Sequence, residues 1–262
     1  MILEDKVAVV YGAGGDIGGA VARAFAAQGA TVFLTGRTQK TVERIAREIE
    51  AAGGAAEGAR VDALDEQAVE EHLQSVVDAA GRVDISFNAV GDRNADIVGV
   101  PLTELDTTRF SLPIATYATS YFLTARHAAR QMIPNGSGVI MTVTAFPARA
   151  GTPLNGGYGP AQAAKEQLTR DLSLELAPQG IRVVSLRPHG IADSRTMDLL
   201  YDRKAKNAMT REQFDGFLAN MTHAHRTSAL DEVAHTAVFA ASDHGSGLTG
   251  TTVNLTMGGL TD

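Results

Sequence analysis

The stretch Tyr11-Gly12-Ala13-Gly14-Gly15-Asp16-Ile17-Gly18-Gly19 is the part of this chain from which the fold reads outward. Before it, Val7–Val10 is a short apolar run of strand type. After it, Ile17–Ala27 carries apolar residues at helical spacing and stops at Gly29. A strand, a glycine turn and a helix in succession bring free backbone N–H groups and the positive end of a helix dipole to one point. That point suits a pyrophosphate, which the glycines let the backbone approach closely. The strict Gly-x-Gly-x-x-Gly spacing is not met, because Ile17 holds the third glycine's place and Gly18 comes one later. A glycine loop alone is equally a tight turn. Its position between the first strand and the first helix of an alternating chain is what favours a dinucleotide.

Outward from the loop the alternation continues. Strands are expected at Thr31–Leu34, just before Asp62, and at Val83–Phe87, Val139–Val143, Ile181–Leu186 and Thr252–Leu255. Helices are expected from Thr38 as cap to about Ala52, over Glu66–Ala80 and Thr107–Met132, from Tyr158 to about Ala177, and over Asp231–Ala241. Pro113 predicts a kink or a late start in the long helix. About seven strands separated by helices, without a linker, make one α/β domain with a doubly wound parallel sheet. Residues 194–227 depart from the pattern, being polar, without a strand and rich in Arg and Lys. They are expected to form a substrate cap leaving the carboxyl edge of the sheet, the alternative being a solvated excursion.

Composition narrows the function classes. The chain has 262 residues, 23 Lys plus Arg against 30 Asp plus Glu, a net charge of −7 and no cysteine. The acidic balance argues against nucleic acid as partner. The lack of cysteine removes disulfides, thiol nucleophiles and cysteine metal sites, and fits a reducing, cytoplasmic setting. No window is apolar for the ~20 residues that a membrane span needs. The N-terminus does not read as a signal peptide. His223 and His225 lack a further ligand pattern and are read as solvated, so no metal is expected.

Around the loop, Arg37 follows the second strand. An arginine there can pair with a ribose 2′-phosphate, which favours NADP(H) over NAD(H); the alternative is an exposed strand-end arginine. Asp62, with Ala63 after it, can accept from an adenine amino group or cap the next helix, with Asp65 as competitor for the cap. Asn88 can tie neighbouring strands together, and Gly91 lets the chain pass close to a ribose. Asp16, in the loop itself, is expected to point away and cap the first helix, since an unpaired carboxylate against a phosphate is costly.

Taken together, Gly12-x5-Gly18, Asp62, Asn88 to Gly91, Tyr158 opening a helix, Gly180-Ile181-Arg182-Val183, Pro188, Glu232-Val233-Ala234, Leu248-Thr249-Gly250 and Gly258-Gly259 resemble the short-chain dehydrogenase/reductase family over nearly the whole chain. The resemblance implies a Rossmann-type fold, a nicotinamide cofactor, and a homodimer or homotetramer. It implies cofactor contacts from Gly12, Gly14, Gly15, Ile17, Gly18, Arg37, Asp62, Ala63, Asn88, Gly91, Pro188 and Ile191.

The catalytic positions depart from the family pattern. The family uses a Ser, a Tyr, a Lys four residues after the Tyr, and an Asn on an earlier helix. Here Tyr158 is present, but Gln162 stands at the Lys position, Ala145 at the Ser position with Thr144 beside it, and Tyr117 at the Asn position. A tyrosine titrates near ~10 unless a cation lowers it, which neutral Gln162 cannot do. The expected roles are Tyr158 as proton donor, Gln162 on a ribose hydroxyl and Thr144 near the substrate oxygen. Lys165 shares the Tyr158 face of the helix but lies ~4.5 Å further along it than the family lysine, so a packing or surface role is expected. His189 is either an acid–base group or a hydrogen-bonded loop histidine. The leading reading is an NADP(H)-dependent oxidoreductase, reducing a carbonyl or oxidising an alcohol on a small or lipophilic substrate. Two rivals stand beside it: a non-redox cyclase, dehydratase or isomerase using His189, Asp193 and Tyr117, and a catalytically retired dinucleotide-binding protein.

Overall fold

The computed structural model describes residues 1–91 and 97–261. Seven strands, β1 (Val7–Tyr11), β2 (Thr31–Gly36), β3 (Ala55–Arg60), β4 (Ile85–Asn88), β5 (Gly138–Val143), β6 (Ile181–Pro188) and β7 (Thr251–Leu255), form one sheet in the order β3-β2-β1-β4-β5-β6-β7. Every pairing is parallel. The helices are α1 (Asp16–Ala27), α2 (Gln39–Ala51), α3 (Glu66–Ala80), α4 (Thr107–Met132), α5 (Tyr158–Leu176), α6 (Arg195–Leu200), α7 (Arg211–Asn220) and α8 (Leu230–Ala241). This is the doubly wound, Rossmann-type single domain expected from the alternation.

Strand periodicity builds the two cores. Ala8 and Val10 of β1 enter the layer under α1, α2 and α8, whereas Val7, Val9 and Tyr11 enter the layer under α3, α4 and α5. Both faces of β1 are therefore covered, and it reads as a continuous apolar run instead of an alternating one. Each of the three valines contributes roughly 1.5–3 kcal/mol by leaving water.

The element boundaries differ from expectation in informative places. Strand β4 is Ile85–Asn88, and just before it the Asp84 carboxylate accepts from Val7 N at 2.9 Å, tying the starts of β4 and β1 together. Helix α4 starts at Thr107 and runs through Pro113 instead of after it. Asp106 fixes that start by accepting from Arg109 N at 2.9 Å. Thr38 stands at the cap of α2 without a side-chain bond, and Asp65, not Asp62, caps α3.

Strand order reverses between β1 and β4, so the loops after them part and open a cleft at the carboxyl edge. Between β6 and α8 the chain leaves the sheet as α6, a π-helical turn over Tyr201–Ala205, and α7. Met197 and Phe214 are buried beneath this excursion. Lys204 pins it to the loop before α5, donating to Pro153 O at 2.9 Å and Asn155 Oδ1 at 3.1 Å.

Candidate active site

A cleft of about 1040 Å³ runs from the glycine loop to the excursion. Its floor is the turn after β1. Gly12 has φ of +73°, and a Cβ there would lie 2.5 Å from Ala89 O; a Cβ on Gly18 would strike Gly12 O. These two positions admit only glycine, and together they bring the β1 turn, the β4 turn and the first turn of α1 into contact. Gly15 is the N-cap of α1 and offers no capping side chain. The first N–H groups of the helix therefore face the turn with no side chain over them. Gly14, Gly15, Ile17, Arg37, Asp62, Ala63, Gly91, Pro188 and Ile191 also line the cleft. Asn88 does not. It is buried, donating from Nδ2 to Thr124 Oγ1 at 3.0 Å while Thr142 Oγ1 donates to its backbone oxygen, so it braces β4 against α4 and β5.

Two loop residues take unanticipated partners. Asp16 does not cap α1; it is the first residue of that helix. Its carboxylate accepts from Arg195 Nε at 2.7 Å and Arg195 N at 2.9 Å, while Arg195 Nη2 donates to Gly14 O at 3.0 Å. The first residue of α6 thus neutralises the carboxylate beside the anion cradle. Asp62 is exposed and accepts from Leu64 N at 3.1 Å, which leaves its second oxygen open to the cleft. Arg37 is exposed and has no ion-pair partner among the described residues.

At the other end, the cleft is bordered by the start of α5. Tyr158 opens this helix, and Gln162, Lys165, Glu166, Thr169 and Ser173 follow on one buried stripe at helical spacing. The stripe is polar, and protein groups answer most of it. Lys165 Nζ donates to Val143 O at 2.7 Å. Glu166 Oε1 accepts from Arg187 Nε at 2.8 Å and from Thr144 Oγ1 at 3.0 Å. Thr169 meets the Tyr121 hydroxyl at 3.1 Å, and Ser173 meets Thr249 Oγ1 at 2.8 Å. Gln162 is the exception. Its Oε1 is buried without a partner among the described residues, and the side chain lines the cleft.

Tyr158 also lines the cleft, and its hydroxyl makes no hydrogen bond among the described residues. Its ring meets Tyr117 edge-on, with centroids 5.5 Å apart. Burial, and then the neighbouring Tyr117 hydroxyl, hold the Tyr158 hydroxyl above the ordinary phenol range. Lys165 is fully buried, its Nζ 5.7 Å from the Tyr117 ring centre, and desolvation pushes its amine down to about 7. The packing role expected for it holds, but in the core and not at the surface.

The expectation that Thr144 orients a substrate oxygen meets a competing demand. Thr144 borders the cleft, yet its one hydroxyl proton is claimed by Glu166 at 3.0 Å and Leu186 O at 3.3 Å, so it offers a substrate no donor. Sequence reasoning missed the buried Glu166–Arg187 pair entirely. The available signal was Arg187 near the end of a central strand, a position where a charged residue must find a countercharge when buried. His223 and His225 are exposed.

The cradle fits a dinucleotide: two positions where any side chain would collide with backbone, a neutralised carboxylate at the helix start, and, further along the cleft, an amide oxygen without a partner among the described residues. The family model described as Enoyl-(Acyl carrier protein) reductase matches residues 12–261. The "Uncharacterized oxidoreductase YxbG" of Bacillus subtilis is 32% identical over 95% of this chain and 88% of its own length. The "Short-chain reductase protein NovJ" of Streptomyces niveus is 30% identical over 97% and 94%. Among solved structures, sorbitol-6-phosphate 2-dehydrogenase SrlD from Erwinia amylovora superposes with a TM-score of 0.90 at 29% identity, covering 97% of this chain and 100% of that one. With the match running almost from end to end, the chain belongs to the short-chain dehydrogenase/reductase family of oxidoreductases, whose cofactor is a nicotinamide dinucleotide.

Proposed function

We propose that this protein is an NADP(H)-dependent carbonyl reductase or alcohol dehydrogenase for a small or lipophilic substrate, with Tyr158 as proton donor and Gln162 on the nicotinamide ribose. The observation that carries the reading is a pair of groups one helical turn apart on α5 without hydrogen-bond partners among the described residues: the Tyr158 hydroxyl and Gln162 Oε1, whose side chains line the cleft that begins at the glycine loop. An amide oxygen accepts from a ribose hydroxyl, which replaces the family lysine's grip on the sugar without its charge. When bound, the nicotinamide supplies or accepts a hydride. Tyr158 gives its proton to the carbonyl oxygen as that oxygen gains electron density. A tyrosine held protonated is ready to donate, so the reductive direction suits this site better than the oxidative one.

Arg37, exposed at the end of β2 with no competing carboxylate among the described residues, supports the preference for a 2′-phosphate. Ser194 through Thr227 act as the substrate cap, with Met197 and Phe214 turned inward. The protein works as a cytoplasmic homodimer or homotetramer, as its family resemblance implies; no described helix is long and apolar enough to cross a membrane.

The test is a fluorescence titration with NADPH and NADH, followed by consumption of the bound reduced nucleotide on a panel of aldehydes and ketones. NADPH binding tighter by about tenfold, and lost in Arg37→Ser, is the expected result. Absence of binding to both nucleotides overturns the reading, and binding without turnover on any carbonyl returns the retired-enzyme alternative.

A further inference from the structure

The residue after β6 is His189, and it stands at a crossing of three elements. Its ring lies against Phe146 with centroids 4.6 Å apart, and only 7% of the residue is exposed. Its Nε2 is 3.3 Å from Leu218 O on α7, in the excursion that covers the cleft. A backbone carbonyl only accepts, so Nε2 must carry the proton. Burial pushes the ring's pKa below the usual histidine value, in keeping with a neutral imidazole. In that tautomer Nδ1 is a bare lone pair. It is buried and has no donor among the described residues, while the side chain lines the cleft together with Tyr158, Phe146 and Leu218.

A fixed, buried acceptor without a donor loses its hydration and gains nothing until a ligand supplies one. We propose that His189 is a specificity-determining residue: Nδ1 accepts a hydrogen bond from a substrate hydroxyl other than the oxygen undergoing redox. The favoured substrates are hydroxy-ketones, or diols in the reverse direction, in preference to their deoxy counterparts. The assignment rests on the dehydrogenase reading of the cleft. The other possible donor of the same chemistry is the carboxamide N–H of the nicotinamide, and the experiment separates the two.

Two substitutions divide the ring's functions. His189→Asn places an amide oxygen near Nδ1 and keeps an acceptor. His189→Gln reaches toward Leu218 and keeps the tether to α7, but leaves no acceptor at Nδ1. Both lose the packing on Phe146, so each controls for the other's structural damage. The probes are cyclohexanone and its 2-, 3- and 4-hydroxy derivatives. Their binding is measured by saturation-transfer NMR with and without NADPH, and their turnover by loss of NADPH absorbance.

In wild type and His189→Asn, at least one hydroxylated probe should bind and react about 10-fold better than cyclohexanone; in His189→Gln that preference should fall to about twofold or less. Survival of the preference in His189→Gln overturns the proposal, as does a wild type that favours none of the hydroxylated probes. Weakened NADPH binding in His189→Gln with an unchanged probe ratio also overturns it, in favour of the carboxamide. If no probe is turned over but the binding preference still follows the Asn/Gln split, the dehydrogenase reading falls and the assignment of His189 stands.

Discussion

The two ends of the cleft are built on different principles. At the glycine-loop end the backbone does the work. Gly12 and Gly18 are required because any side chain there meets a carbonyl, and what the loop offers an anion is the main-chain N–H groups at the start of α1. At the α5 end side chains line the cleft, and they come from α4, α5, the ends of β5 and β6 with the turns after them, and the excursion before α8. A backbone site can accept a change in the surrounding residues, such as Asp16, when something such as Arg195 absorbs the charge. A side-chain site can exchange one chemical solution for another. Here neutral Gln162 stands where its relatives' pattern has a cation, and a buried amine, Lys165, sits three residues further along the same stripe.

The contrast can be broken most sharply at Tyr158. Tyr158→Phe should lower kcat for carbonyl reduction by ~10²–10⁴, with NADPH affinity unchanged within about threefold. Unchanged turnover would mean that the α5 end is not where the proton moves. Next in size is the buried pair behind it. Arg187→Met leaves the Glu166 carboxylate in the core with Thr144 as its one remaining side-chain donor among the described residues, and should cost ~3–5 kcal/mol in a denaturant titration. A cost under ~1 kcal/mol would show that water reaches Glu166.

Lys165 gives a pH signature. Its folded pKa of about 7 lies below the ~10.4 of an unfolded lysine. Between those values the unfolded chain holds a proton that the folded chain does not. Stability should therefore rise with pH across that window, by ~1 kcal/mol per unit, and its contribution should be flat below it. Lys165→Met should remove this slope, measured as thermal midpoints across the window. The smallest effect belongs to the loop end. Arg195→Ala exposes the Asp16 charge to the anion cradle and should weaken NADPH binding by about threefold to tenfold, since an exposed ion pair is worth ~1 kcal/mol. Adding Asp16→Asn should recover most of that loss. No recovery would mean that Arg195 acts through α6 instead of through charge.

Legibility in the sequence follows the same division. Helix α3 is Glu66–Ala80 and α4 is Thr107–Met132, as apolar spacing predicts. The order of strands and helices also follows from the alternation alone. Apolar spacing could not say which polar side chains of α5 turn inward, because Gln162, Lys165, Glu166, Thr169 and Ser173 are buried alongside the apolar Ala161 and Leu176. A polar stripe is buried only when partners from other elements meet it, and those partners are remote: Val143, Thr144, Arg187, Tyr121 and Thr249. The same holds for His189, whose tautomer is set by a carbonyl 29 residues away.

By itself the sequence determined the fold, the glycine turn and the place of the cleft. Each depends on local periodicity and on positions where backbone geometry admits one residue type. Only the tertiary structure decided that Thr144 has spent its proton, that Asp16 is neutralised by Arg195, and that Gln162 and His189, which line the cleft, each hold a buried acceptor without a partner among the described residues. The physical reason is that a polar atom's chemistry is set by what already bonds to it, and those partners are chosen by packing between elements far apart in the chain.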